Sequence, residues 1–215
     1  MGKITALRIG RGRSRRVNVF LDGKFAFSLE TELIVKEGLK VGQELTASQI
    51  EMLSHSDDFH RCFNAAIRYL GYRPRSESEV GQRLQRHGFK IDCIEAVLAR
   101  LKETGLIDDL SFARFWKDNR ESFSPRSQRL TRLELRRRGV DNIIIDQVLD
   151  STGEDDSAYQ AALGKFQHLS GSDYQAFRRR LVEHLRRRGF DYEVINQAVE
   201  RLWEEQRSSS GELLT

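Results

Sequence analysis

Arg136, Arg137 and Arg138 stand immediately before Gly139, and Arg186, Arg187 and Arg188 stand immediately before Gly189. A guanidinium is permanently cationic and presents a planar fork of N–H donors that matches phosphate oxygens, so consecutive arginines point to binding a polyanion. Residues that make or break bonds are sparse. The chain has no Gly-x-Ser-x-Gly elbow, His-Glu-x-x-His helix, phosphate loop or Cys-x-x-Cys pair. The adjacent carboxylates Asp108 and Asp109 fall at a corner between helices, where they read as caps for free backbone N–H groups. Cys62 and Cys93 read as small buried hydrophobes, and with His60 they lack the second pair that a zinc site needs. No catalytic residue, cofactor or metal is expected.

The segments that must position the arginines recur. Leu84-Gln85-Arg86-His87-Gly88-Phe89, Leu135-Arg136-Arg137-Arg138-Gly139-Val140 and Leu185-Arg186-Arg187-Arg188-Gly189-Phe190 place their glycines 51 and 50 residues apart. After each glycine, apolar residues follow at i, i+3, i+4 and i+7: Ile94, Val97, Leu98, Leu101; then Ile145, Val148, Leu149, Thr152; then Ile195, Ala198, Val199, Leu202. That spacing lines one stripe of an α-helix. Before each glycine, Val80/Leu84, Thr131/Leu135 and Leu181/Leu185 are i, i+4 pairs, so the glycine falls where a helix ends on a left-handed residue.

A third helix precedes each pair. Phe59, Phe63, Ala66, Ile67 and Leu70 form one face ending at Gly71; Phe112, Ala113, Phe115 and Trp116 form the second; Tyr159, Ala162, Leu163 and Phe166 form the third. Start signals for the middle helices are Ser76-Glu77-Ser78-Glu79, Ser124-Pro125 with proline at the first helical position, and Ser172-Asp173-Tyr174-Gln175. The predicted fold is therefore mainly α, a tandem array of three three-helix repeats stacked on one another's apolar faces.

The first residues differ. Val17 to Leu21 and Phe25 to Leu29 are rich in β-branched and aromatic residues, and Asp22-Gly23 between them suits a type I′ hairpin; Ile4 to Ile9 is a third strand. Glu30 to Glu37 predicts a short helix, and Thr46-Ala47-Ser48-Gln49 a capping box opening a second one through Leu53. These make a small β-rich (α+β) module. The expected divisions are 1–56 for this module, 57–108, 109–153 and 154–206 for the repeats, and 207–215 for a frayed tail. The loop Gly10 to Arg16 is either a phosphate-touching arm or a solvated turn. With 36 Lys+Arg against 32 Asp+Glu, the net charge of +4 says little by itself, but the arginines cluster while the acids do not. The absence of a long apolar run or a signal-like N-terminus predicts a cytoplasmic chain without a membrane span.

Two stretches carry a family resemblance. Leu106-Ile107-Asp108-Asp109-Leu110-Ser111-Phe112-Ala113-Arg114-Phe115-Trp116, followed by Arg120, Glu134-Leu135 and the basic Gly139 corner, resembles the RecX family, regulators of the RecA recombinase. Tyr69-Leu70-Gly71-Tyr72-Arg73-Pro74-Arg75-Ser76-Glu77-Ser78-Glu79 resembles that family's opening signature. The resemblance covers about residues 58 to 206. It implies a non-enzymatic modulator in recombination, DNA repair and the SOS response, which docks on the RecA–DNA filament and commonly restrains it.

Candidate contacts with that filament or with single- or double-stranded DNA are Arg126, Arg129, Arg132, Arg136, Arg137 and Arg138 in the second repeat. Arg178, Arg179, Arg186, Arg187 and Arg188 in the third, with Arg13, Arg15 and Arg16 in the N-terminal loop, complete the set; Arg180 extends the third cluster. A monomer is expected. The plain alternative is that arginines in a last helical turn interact with the helix dipole, worth about 0.3–1 kcal/mol each. Two further readings are a free-standing helix-turn-helix DNA-binding protein and a helical scaffold that binds no nucleic acid. Against the former, the basic residues crowd the helix end rather than its start.

Overall fold

The computed structural model describes residues 1–10, 16–149, 153–166 and 173–211. It is mainly helical, with a four-stranded antiparallel sheet at the N-terminus. The chain divides into two compact units: Met1–Arg73 with Val80–Leu106, and Pro74–Glu79 with everything from Ile107 onward.

In the first unit, β1 (Gly2–Ile9), β2 (Arg16–Leu21), β3 (Lys24–Glu30) and β4 (Glu44–Leu45) pair in the order β3-β2-β1-β4. The turn between β2 and β3 has positive φ at both Asp22 (48°) and Gly23 (80°), as a type I′ turn requires. Alternation along the strands turns Ile4, Val19 and Leu29 inward, where they meet Leu33 of the short helix α1 (Thr31–Lys36) and Leu53 of α2 (Ala47–Leu70).

The capping box at Thr46 and Gln49 opens α2 as the sequence predicts, but the helix does not end near Leu53. It runs unbroken to Leu70, straight through the expected division at 56–57. The polar run His55-Ser56-Asp57-Asp58 stands at that division, yet Asp57 is only 4% exposed. Its carboxylate accepts hydrogen bonds from the Glu30 backbone N–H at 2.9 Å and from Arg16 at 2.7 Å. A buried carboxylate satisfied in this way ties the middle of the helix to the sheet. With α3 (Glu77–Arg86) and α4 (Ile91–Glu103), α2 encloses Cys62, Ala66, Val80, Leu84, Ile94, Val97 and Leu101.

The second unit holds α5 (Asp109–Phe123), α6 (Gln128–Arg137) and α7 (Asn142–Val148), then α8 (Glu154–Phe166), α9 (Tyr174–Arg187) and α10 (Tyr192–Gly211). Phe112, Trp116, Leu135, Ile145 and Val148 form the core of the first triplet, and Ala162, Phe177, Leu181, Leu185, Ile195 and Val199 that of the next. Asp108 caps α5, accepting from the N–H groups of Leu110 and Ser111, both at 3.1 Å. Asp109 reaches the start of α3 instead, where it accepts from Glu77 N–H at 2.9 Å.

One further expectation changes. Ser127, not Ser124, is the N-cap of α6, accepting from Leu130 N–H, while Ser124 is the C-cap of α5, its N–H donating to the Arg120 carbonyl. The helical backbone of α10 continues to Gly211, through much of the stretch expected to fray. Thr152 and Ser172 lie outside the described residues.

Candidate nucleic-acid interface

Each arginine triplet ends a helix of the second unit, and the glycine after it does more than terminate the helix. Gly139 has φ +76°, and a Cβ there would lie 2.4 Å from Cβ of Ser78. Gly189 has φ +84°, and its Cβ would lie 2.6 Å from Leu130 Cγ. The left-handed backbone and the close approach both demand glycine.

The carbonyl just before each glycine is held by the buried N-cap serine of an earlier helix. Ser76 Oγ donates to the Arg138 carbonyl at 2.6 Å, and Ser127 N–H donates to the Arg188 carbonyl at 3.0 Å. The third arginine of each triplet is thus built into a joint.

Its side chain follows. The Arg138 guanidinium lies 3.6 Å from the ring centroid of Trp116, donates to the Glu134 carbonyl at 3.2 Å and faces Glu79 at 3.7 Å. Beside it, the Glu134 carboxylate accepts from Trp116 Nε1 at 2.7 Å, from Arg120 Nε at 2.8 Å and from Arg126. Burial pushes the Glu134 carboxyl up, but the hydrogen bonds from Arg120 and Trp116 and the charges of Arg120 and Arg126 outweigh it, leaving it below the usual carboxylate range.

Arg188 donates to the Pro125 carbonyl at 2.8 Å, to Ser124 Oγ at 3.3 Å and to His184 Nε2 at 2.9 Å. Burial, and then the Arg188 charge, hold the His184 imidazole below its usual pKa, in the neutral form that can accept this bond. Burial and the charge of Arg126 also lower the Arg188 guanidinium from its ordinary value.

Several other candidates have internal duties. Arg16 bonds Asp57 and both the hydroxyl and the carbonyl of Ser28, so it fastens β2 to β3 and α2. Arg126 serves Glu134, Arg132 pairs with Asp146, and Arg178 donates to Asn196 at 3.1 Å. Arg13 and Arg15 lie outside the described residues.

What remains is exposed. Arg129, Arg137, Arg179, Arg180 and Arg186 have no hydrogen-bond or ion-pair partner among the described residues. Arg136 donates only to the neutral Asn142, at 2.7 Å. Arg187 faces Glu183 at 3.9 Å with both side chains largely exposed (68% and 64%), a geometry worth about 0–1 kcal/mol that a phosphate can replace. Of the candidate arginines, Arg129, Arg136, Arg137, Arg179, Arg186 and Arg187 are exposed, as is Arg180, while Arg16, Arg126, Arg132, Arg138, Arg178 and Arg188 carry internal hydrogen bonds or ion pairs. The partners Trp116, Arg120 and Glu134 escape a search for basic clusters. Their only signal is an acid among arginines with an aromatic residue one helix earlier.

Among the described residues no group of three or more His, Cys, Asp or Glu is placed to hold a metal ion, and no helix is long and apolar enough to cross a membrane.

Residues 2–46 match the regulatory protein RecX N-terminal domain, residues 62–101 the RecX first three-helix domain and residues 153–199 the third. The chain is 30% identical over 207 residues to a regulatory protein RecX of Clostridium perfringens, covering 94% of this chain and 97% of that one. It is 31% identical over 206 residues to that of Bacillus licheniformis, covering 93% and 77%. A crystal structure of regulatory protein RecX superposes with a TM-score of 0.65 at 23% identity over 93% of this chain and all of that one, a likeness of fold.

Proposed function

Because this chain belongs to the RecX family of regulatory proteins, we propose that it binds the RecA–DNA filament and restrains it, through arginines that the fold leaves exposed. The observation that carries this reading is the division of labour inside each triplet. One arginine is consumed by the joint, while Arg136 and Arg137 before Gly139, and Arg186 and Arg187 before Gly189, face solvent. One or two cations suffice to interact with a helix dipole, and Arg138 and Arg188 already lie at the helix ends. Two further exposed guanidinium groups at each end exceed what the dipole needs and present cationic surface to a polyanion. Arg129, Arg179 and Arg180 extend the two clusters. The protein acts without a cofactor, as a monomer in the cytoplasm.

Substoichiometric protein added to RecA on single-stranded DNA is expected to slow ATP hydrolysis and strand exchange, since one bound regulator affects many filament subunits. The variants Arg136→Gln with Arg137→Gln, and Arg186→Gln with Arg187→Gln, should weaken inhibition and flatten its dependence on log salt by about 0.7 per lost contact on single strands. If the parent leaves RecA unaffected at large excess, the reading is wrong. If both double variants inhibit as the parent does, the contact lies elsewhere.

A further inference from the structure

The first unit has a basic region that its sequence does not advertise, because no triplet marks it. An open basin of about 730 Å³, within the range of about 300–1,000 Å³ usual for ligand sites, lies between one face of α2, the end of α3 and the start of α1. Arg61, Arg68, Tyr69 and Tyr72 stand along or just beyond α2 at helical spacing, and Arg83 and Phe89 form the opposite wall.

Two of the guanidinium groups already lie against rings. Arg83 is 5.6 Å from the Tyr69 centroid and Arg61 is 6.0 Å from that of Phe89. Tyr72, just past the C-cap Gly71, is 84% exposed. Its ring face is open to a ligand that enters the basin it lines.

The charges are not all available. Arg16 is committed to Asp57, and Arg61 pairs with the exposed Asp58 at 3.4 Å. Arg68 and Arg83 are exposed and have no ion-pair partner among the described residues. On the acidic side, Glu30 accepts from Asn64 at 3.3 Å and Glu32 stands exposed. A polyanion is therefore favoured along the Arg68–Arg83 side and repelled from the α1 side.

From this geometry we infer that the basin is a binding site for single-stranded DNA, with an unpaired base stacked on Tyr72 and the adjoining phosphates held by Arg68 and Arg83. Aromatic faces interleaved with cations are what an unpaired strand requires, because every base has a π-face and every step carries a charge. Paired bases offer no free face, so duplex uses only the arginines. An acidic protein surface would use the arginines and leave the ring idle.

The test is the affinity of the whole chain for labelled oligothymidylate at low and high salt, without RecA. Tyr72→Ala should weaken binding about tenfold or more, and Tyr72→Trp should keep it, since any flat ring stacks. Arg68→Gln with Arg83→Gln should reduce the log–log salt slope by about 1.4, or 0.7 for each lost phosphate. These positions are exposed, so melting temperatures should match the parent; where the alanine variant melts early, the tryptophan and arginine variants still decide. Parent affinity and slope in the Tyr72→Ala and double arginine variants overturn the site. Displacement of the strand by thymidine monophosphate at equal nucleotide concentration would make a free nucleotide the ligand and also overturn it. Because RecA is absent, a parent that inhibits RecA but shows no Tyr72-dependent strand binding overturns this inference alone.

Discussion

The corners at Gly139 and Gly189 share the run Leu-Arg-Arg-Arg-Gly and a capping serine that donates to the last arginine's carbonyl, yet the residue four positions before that arginine differs: Glu134 in one, His184 in the other. At the first corner a carboxylate gathers Trp116, Arg120 and Arg126, and Arg138 stacks on the tryptophan. At the second, a neutral imidazole, a hydroxyl and a carbonyl receive Arg188, with no carboxylate among its hydrogen-bond partners. The backbone of a repeat is thus reproduced by glycine and a capping serine, while the chemistry that locks each copy is local. The two corners should therefore fail under different conditions.

The largest expected effects come from the shared part. Gly139→Ala and Gly189→Ala add an unfavourable left-handed alanine and a Cβ overlap, and should each cost about 2–4 kcal/mol. Gly88→Ala, at φ +82° but with open space around it, should cost about 1 kcal/mol. Thermal unfolding of the three variants checks this order; equal losses would mean that the close approach at the two joints does not matter.

Next come the locks. Glu134→Gln should cost about 2 kcal/mol, because half-buried arginine donors and the buried Trp116 indole lose their charged acceptor. The folded-state pKa of Glu134 is depressed, so its contribution is present above the unfolded carboxyl range and is lost as pH falls through the lower folded value. The glutamine variant should lose that part of the parent's acid sensitivity, read from urea unfolding across acidic pH.

His184 behaves differently. Its folded pKa is depressed below the unfolded value of about 6.5, so the unfolded chain binds the extra proton between the two values. Stability is full above about pH 6.5 and falls as pH drops below it. His184→Gln, which keeps an acceptor for Arg188, should flatten this slope while Glu134→Gln should not. If both variants keep the parent's profile, the two corners do not differ as their partners suggest.

The smallest effect on folding is expected for Arg137→Gln and Arg186→Gln, within about 0.5 kcal/mol, because both side chains are exposed. Arg138→Gln and Arg188→Gln should each cost about 1–2 kcal/mol by removing half-buried charged donors. A triplet changed as a whole mixes the two effects, so only the separated variants distinguish a solvent-facing cation from a locking one.

Much of the fold was legible in the sequence because its signals are local. The i, i+3, i+4, i+7 stripes of Ile94, Ile145 and Ile195, the Asp22-Gly23 turn and the capping box at Thr46 each depend on residues a few positions apart. The misreadings share a cause. Ser124-Pro125 is a sound local start signal, but Ser127 became the cap because its backbone N–H also meets the Arg188 carbonyl, 61 residues away in sequence. Asp57 stood at an expected boundary because a carboxylate is polar in any composition count, and only Arg16 and the Glu30 N–H, brought to it by the sheet, make it an internal residue.

The sequence by itself determined that this protein is a β-rich module followed by three helical repeats, that each helix pair turns on a glycine, and that arginine is concentrated before two of those turns. Periodicity and backbone preference are properties of neighbours along the chain. Only the tertiary structure decided which arginines are spent inside the molecule and which face water. A guanidinium finds most of its partners across space: Glu134 meets Arg120, Trp116 meets Arg138, Pro125 meets Arg188 and Asp57 meets Arg16 only once the elements have docked.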